Sequence, residues 1–236
     1  MPHLRIILIE PQEAGNVGAV ARVMKNFGFE ELWIVGEHPP LEPLAGWWAS
    51  GAGDVVAGAH FVPTLHHAIG DAQITIATTS ARGRKATIDS TPSDIAKQFS
   101  SLKEHETLAL VFGREDRGLT REEVIQCQRT AGIPTNPDFP TMNLAQAVGV
   151  FCFCCSLEIR AGEGARHHTD RANAVIIERL HERAESLLLE VGFLHANNPD
   201  RIYGDLRAIA GRADLNAREA TILLGIIHQI EWKLRQ

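Results

Sequence analysis

The chain has 236 residues, 44% of them hydrophobic and 22% charged, with a formal net charge of −6. This length can bury a real core and fits one large domain or one domain with an extension. The acidic balance excludes a protein wrapped in positive potential, so any nucleic acid must be held by a local basic patch or by one shared between subunits.

In chain order, short apolar runs alternate with helical stretches. Residues 4–10, 31–36, 60–63, 73–79, 107–113 and 130–134 read as strands. Several are apolar at nearly every position, which suits strands covered on both faces of a parallel sheet. Residues 17–27, 43–52, 64–70, 92–102, 121–128 and 143–160 read as helices between them. Thr91 before Pro92, with Asp94 three residues on, marks a helix start. Thr120-Arg121-Glu122-Glu123 is a capping box. Repeated β–α units predict an α/β fold with a mostly parallel sheet.

The run Ala161-Gly162-Glu163-Gly164-Ala165-Arg166 breaks the pattern and reads as a linker. Beyond it only helices are expected, at 170–191, 199–211 and 217–234, the last opened by Asn216 with Glu219. The expected organisation is a domain at 1–160, a linker at 161–169 and a small all-α extension at 170–236. No internal repeat stands out.

The start, Met1-Pro2-His3-Leu4-Arg5, lacks the apolar core of a signal peptide. The longest apolar stretch, 147–157, is too short to span a bilayer. A cytoplasmic protein is expected. Cys152 and Cys155 form a C-x-x-C, but inside an apolar helical run without a second ligand pair, so buried thiols are expected rather than zinc. His66-His67 and His167-His168 lack the i, i+4 spacing of a helical metal site and read as exposed polar residues. Trp33, Trp47 and Trp48 are expected in the core, with base stacking as the alternative.

Three turns carry the chemistry. Gly15-Asn16-Val17-Gly18 follows the first strand, and Arg22 and Lys25 follow it beside the positive end of a helix. The turn is neither G-x-G-x-x-G nor a P-loop, which removes the usual support for dinucleotides and nucleoside triphosphates. Its two cations are either a solvated face or a grip on RNA phosphate. Phe112-Gly113-Arg114-Glu115-Asp116-Arg117-Gly118-Leu119 leaves the fifth strand at the edge where open α/β sheets hold ligands. Gly113 and Gly118 allow close approach to backbone there, although a wet β–α turn has the same composition. Pro140-Thr141-Met142-Asn143 opens the long helix, either as plain N-capping or as backbone that holds adenine and ribose. After the fourth strand, Thr78-Thr79-Ser80-Ala81-Arg82-Gly83-Arg84-Lys85 is a loop over a ligand or simply an exposed loop.

Together and in this order, the three motifs resemble those of the SPOUT-class RNA 2′-O-methyltransferases. The chain is most similar to the tRNA (cytidine/uridine-2′-O)-methyltransferases of the anticodon loop. The likeness spans about residues 4–160, and the helical tail also fits. It implies that the sheet ends in a C-terminal trefoil knot, a rare exception to unknotted folding. It also implies S-adenosylmethionine as methyl donor, tRNA as substrate, a homodimer with shared active sites, and neither metal nor membrane. The methylated group would be the ribose 2′-hydroxyl of a cytidine, and of uridine as well, at position 32.

Carried over by motif position, the donor pocket would use Thr79, Ser80, Ala81, Gly113, Ile133, Pro140, Thr141 and Met142, with Asn143 anchoring the last turn. Glu115 would brace the pocket and Asn16 would lie near the reacting centre. Arg22 would be the catalytic arginine, reaching across the subunit interface. Lys25, Arg82, Arg84, Lys85, Arg114 and Arg117 would face RNA. Many relatives have Ser-Leu where this chain has Thr141-Met142, but the hydroxyl survives, so donor binding is expected to survive. Two rivals remain: a guanosine 2′-O-methyltransferase of the same superfamily acting on tRNA or ribosomal RNA, and a non-catalytic RNA-binding protein on the knotted scaffold.

Overall fold

The computed structural model describes residues 2–80, 89–161, 172–194, 199–213 and 215–236. Among them, six strands form one sheet in the order β3-β2-β1-β5-β4-β6, every pair parallel. They are β1 (His3–Ile9), β2 (Glu31–Val35), β3 (His60–Val62), β4 (Ile74–Thr78), β5 (Thr107–Phe112) and β6 (Arg129–Ala131). The helices alternating with them are α1 (Ala14–Asn26), α2 (Leu44–Ala49), α3 (Gly53–Ala57), α4 (Leu65–Ile69), α5 (Pro92–Ser100), α6 (Arg121–Gln126) and α7 (Leu144–Ala161). This is the expected parallel α/β layout. The loop 81–88, which holds Ala81, Arg82, Arg84 and Lys85, lies outside the described residues.

Both faces of the sheet are covered, which is why the central strands are apolar throughout. Leu4, Ile6 and Leu8 alternate onto the face covered by α1, α5 and α7, while Ile7 and Ile9 meet α4 and Leu119 on the other. Arg5 points to the second face and is buried. Glu31 at 2.6 Å, Asp71 at 2.5 Å and the Ala68 carbonyl at 2.7 Å saturate its guanidinium. Its hydrogen bond holds the Asp71 carboxyl below the usual range.

Three boundaries differ from expectation for local reasons. Gly15 and Asn16 belong to the first turns of α1, which starts at Ala14 rather than at 17. The expected helix 43–52 splits in two, because Ser50 (φ 36°) and Gly51 (φ 88°) take left-handed backbone. Strand β6 stops at Ala131, and prolines 134, 137 and 140 have no N–H to continue a ladder.

Three further helices follow: α8 (Ala174–Glu190), α9 (Pro199–Ala213) and α10 (Ala217–Leu234). The expected linker 161–169 falls almost wholly outside the described residues. The Ala174 and Val175 N–H groups donate to the carbonyls of Ala72 and Gly70 at 2.7 and 3.2 Å, which seats α8 on the end of α4. Helix α9 lies against β6 so closely that a Cβ on Gly211 would sit 2.0 Å from the Gln128 carbonyl oxygen. Arg129 donates to the Gly211 carbonyl at 2.9 Å.

Within this extension His181 is buried, and burial together with nearby Arg207 pushes its imidazole down to about 4, against a smaller opposing pull from Glu178. Between pH 6.5 and 4 the unfolded chain therefore takes up a proton that the folded chain refuses, so stability falls as pH falls through that window. The loss from this group is roughly 3 kcal/mol. Thermal unfolding at pH 7 and pH 4.5 checks this: His181→Leu should flatten the pH dependence, and an unchanged slope would count against it.

Among the described residues no helix is long and apolar enough to cross a membrane. Cys127, Cys152 and Cys155 are buried as expected and Cys154 is partly so. Burial raises the Cys127 and Cys152 thiols to about 12.

Candidate functional site

A cleft of about 580 Å³ opens at the carboxyl ends of β5, β4 and β6, the place where open parallel sheets bind ligands. Its size is that of a small-molecule site. Four segments converge on it: Thr78, Thr79 and Ser80 at the end of β4, residues 112–119 at the end of β5, Ala131, Ile133 and Thr135 at the end of β6, and Pro140–Met142 before α7. Leu144, Ala147 and Phe151 contribute one stripe of α7, spaced three and four residues apart. Phe112 and Phe151 meet edge to face at 5.8 Å and form an apolar floor. The Thr78 hydroxyl donates to the Val111 carbonyl at 2.8 Å, tying the ends of β4 and β5 together.

The 112–119 turn closes on itself at Gly113. A Cβ there would lie 2.2 Å from the Gly118 carbonyl carbon and 2.3 Å from the Leu119 nitrogen. The Gly118 N–H donates to the Arg114 carbonyl at 2.8 Å, and Gly118 itself has φ 69°. Both glycines are therefore required, one for lack of space and one for backbone handedness.

Arg114 departs from expectation. Rather than facing RNA it is buried, donating to Glu10 at 2.7 Å and to both oxygens of Glu123 at 3.0 and 3.1 Å. Those carboxylates raise its basicity further, and the Arg114 hydrogen bond holds the Glu10 carboxyl below its ordinary range. A guanidinium filled by two carboxylates has no fork left for phosphate. Its role here is to fasten the turn to β1 and α6. Arg117, in contrast, is well exposed on the rim, 3.5 Å from Glu10.

Behind the cleft runs a relay that joins all three sequence motifs. Glu115 accepts from the Gln12 backbone N–H at 3.0 Å and from the Asn16 amide at 2.9 Å. The Asn16 side-chain oxygen, Oδ1, accepts from the Asn143 side-chain amide at 3.1 Å. The Asn143 oxygen in turn caps α7 by accepting from the Ala145 N–H at 2.9 Å. Each amide orientation is set by the next partner, because only Glu115 is purely an acceptor. Glu115→Gln should therefore break the chain wherever its amide points, leaving two donors facing each other at Gln12 or at Asn16. An unsatisfied contact of this kind costs about 1–3 kcal/mol. Ligand affinity at the cleft, measured by calorimetry, should fall about tenfold, and unchanged affinity would remove the relay from the site.

The structure thus brings Thr79, Ser80, Gly113, Glu115, Ile133, Pro140, Thr141 and Met142 to one cleft, with Asn16 and Asn143 joined to Glu115 in series by hydrogen bonds. Ala81 lies outside the described residues. Arg22 is exposed two turns beyond Gly15 on α1, while Lys25 binds Asp54 at 2.6 Å. Sequence reasoning included Phe112 in its second motif without giving it a role and missed Phe151 altogether. The α7 stripe at 144, 147 and 151 was the signal that could have found Phe151. It also misplaced Trp47 and Trp48, expected in the core but 72% and 59% exposed. Trp33 is half-buried, stacked on His60 with the Arg5 guanidinium 4.4 Å from its ring centroid.

A parallel α/β domain that opens a ligand cleft at three neighbouring strand ends, with a helical extension packed behind it, defines the class of this protein. Residues 3–153 match the SpoU rRNA methylase family and residues 176–236 match the tRNA methyltransferase TrmJ C-terminal domain. The chain belongs to the SpoU methylase family. It is 34% identical over 239 residues to the tRNA (cytidine/uridine-2′-O-)-methyltransferase TrmJ of Escherichia coli K12, covering 98% of this chain and 96% of that protein. The crystal structure of TrmJ from Z. mobilis ZM4 superposes with a TM-score of 0.80 at 30% identity, covering 98% and 99% of the two chains. The SpoU methyltransferase AviRb from Streptomyces viridochromogenes, solved with AdoMet, shares the fold at 20% identity and a TM-score of 0.54, over 68% of this chain and 62% of that one.

Proposed function

We propose that this protein transfers a methyl group from S-adenosylmethionine to the ribose 2′-hydroxyl of a cytidine or uridine in the tRNA anticodon loop, at position 32. The observation that carries this reading is the cleft at the ends of β4, β5 and β6, closed from behind by the Glu115–Asn16–Asn143 relay. Its chemistry suits that donor. The Phe112–Phe151 floor offers an apolar face for an adenine ring, and the bends at 113–119 and 131–142 present backbone polar groups for ribose and amino-acid parts. The names of the relatives and the matched C-terminal domain support tRNA as substrate.

When bound, the donor supplies an electrophilic methyl group on a positively charged sulfur. This chain has to hold the incoming ribose in line, expel water and stabilise charge on the 2′-oxygen as its proton leaves. Arg22, exposed on α1, is assigned to orient the adjoining phosphate and to stabilise the forming alkoxide, because a guanidinium keeps its proton and serves poorly as a base. Asn16 lies beside the reacting centre through its place in the relay. Lys25 and Arg117 belong to the RNA-facing rim, together with Arg82, Arg84 and Lys85 of the loop outside the described residues.

A homodimer with shared sites is part of this reading. Phe153 and Leu157 form an exposed apolar ridge on α7, each 48% accessible, and Phe27 of α1 borders it with its ring 5.9 Å from that of Phe153. In this reading Arg22 of each copy serves the cleft of its neighbour.

Incubation with methyl-labelled donor and unmodified tRNA, followed by nucleoside analysis, tests the function. Labelled 2′-O-methylcytidine or 2′-O-methyluridine mapping to position 32 is expected. Label in 2′-O-methylguanosine, or none at all, would overturn the reading.

A further inference from the structure

We propose that Trp48 is a positioning residue for RNA, stacking on an unpaired base next to the methylated nucleotide. This rests on the functional reading above and extends it to a surface outside the donor cleft. Water contact with large aromatic faces is unfavourable, and two adjacent indoles at 72% and 59% exposure on a six-residue helix form a local apolar patch.

Its place against α1 indicates what covers it. Gly15, Gly18, Arg22 and Lys25 follow one another along a single stripe of that helix, three and four residues apart. The Trp48 indole lies over Gly15, with Cδ1 and Nε1 each 3.1 Å from where a Cβ would stand. A Cβ on Gly18 would sit 2.1 Å from the Ala45 carbonyl oxygen of α2, and Lys25 is fixed by Asp54 of α3. Arg22 emerges between these contacts, about 10 Å along the axis from Gly15 at 1.5 Å per residue.

The indole therefore sits one residue from Asn16, which the relay ties to the donor cleft, and on the same stripe as the exposed arginine. Glu13 stands at the N-cap of α1 and Glu115 accepts from the Gln12 N–H and the Asn16 amide, so the positive charge this stripe presents to solvent is that of Arg22. A flat π-face on the same helix stripe as an exposed guanidinium matches one ligand chemistry, a nucleobase and its phosphate. A single-stranded loop can splay a base onto such a face, whereas a duplex keeps its bases stacked.

The test compares Trp48→Ala, Trp48→Phe and the unaltered full-length protein. Stacking predicts that Trp48→Ala weakens tRNA binding, measured by fluorescence anisotropy, about tenfold. It also raises KM for tRNA with kcat within about twofold, leaves donor affinity by calorimetry unchanged, and is largely rescued by Trp48→Phe. Equal tRNA affinity in Trp48→Ala would overturn the proposal. A drop in sedimentation mass with tRNA affinity lost only in proportion would overturn it too, showing that the indole is a subunit contact. If the unaltered protein binds tRNA yet transfers no methyl, the reading of the reaction fails while the anisotropy comparison still decides the role of Trp48.

Discussion

Arg22→Ala should lower the rate of methyl transfer about a thousandfold while donor affinity stays unchanged. The size follows from removing a preorganised charge from a site of developing negative charge, which typically costs 10²–10³ in kcat. Donor affinity should be spared because Arg22 is exposed on α1 and is not among the residues lining the cleft. Single-turnover methylation with saturating tRNA and donor reads the rate, and calorimetry reads the affinity. Arg22→Lys separates charge from shape: it keeps the charge and loses the planar fork. A wild-type rate in Arg22→Lys would show that bidentate phosphate contact is not what Arg22 contributes. A fast Arg22→Ala would remove the residue from the chemistry altogether.

Gly113→Ala should abolish donor binding, with affinity down at least a hundredfold. The added methyl would meet backbone, 2.2 Å from the Gly118 carbonyl carbon and 2.3 Å from the Leu119 nitrogen, and no flexible side-chain end can yield there. The turn has to open, and it carries Glu115 of the relay and Arg114 of the Glu10–Glu123 clamp with it. Overpacking of this kind costs about 1–3 kcal/mol in stability. A thermal scan alongside calorimetry should show a melting point a few degrees lower, with the fold retained. Normal affinity in Gly113→Ala would mean that the turn does not shape the donor site.

These two residues illustrate separate tasks. Gly113 shapes a cleft by having no side chain, and the clamp at Arg114 makes that shape rigid. Arg22 sits outside it on a helix that links the relay to the outer surface through Asn16. Pocket geometry and surface charge are thus built on different elements, β5 and α1, which meet at Glu115 and Asn16 at 2.9 Å.

Much of this was legible in the residues. The capping boxes at Thr91–Asp94, Thr120–Glu123 and Asn216–Glu219 all form, because cap and partner lie three residues apart and need nothing from the rest of the fold. Helix α10 runs from Ala217 to Leu234, the limits its pattern predicts. The parallel sheet was visible in strands apolar at nearly every position, and two of the cleft-lining bends, 112–119 and 140–142, were visible as motifs.

Other features required the assembled molecule. Arg114 looks like a surface cation in any local window, and its partner Glu10 is 104 residues away. Trp47 and Trp48 look like core residues, because hydrophobicity alone does not say which side of a short helix has a neighbour. Local composition and periodicity determined which segments became strands, helices and caps, since those choices depend on residues within one turn of each other. Which side chains face the cleft, the interior or water was decided only when distant segments packed together, because a charge or a ring is satisfied by whatever the fold places beside it.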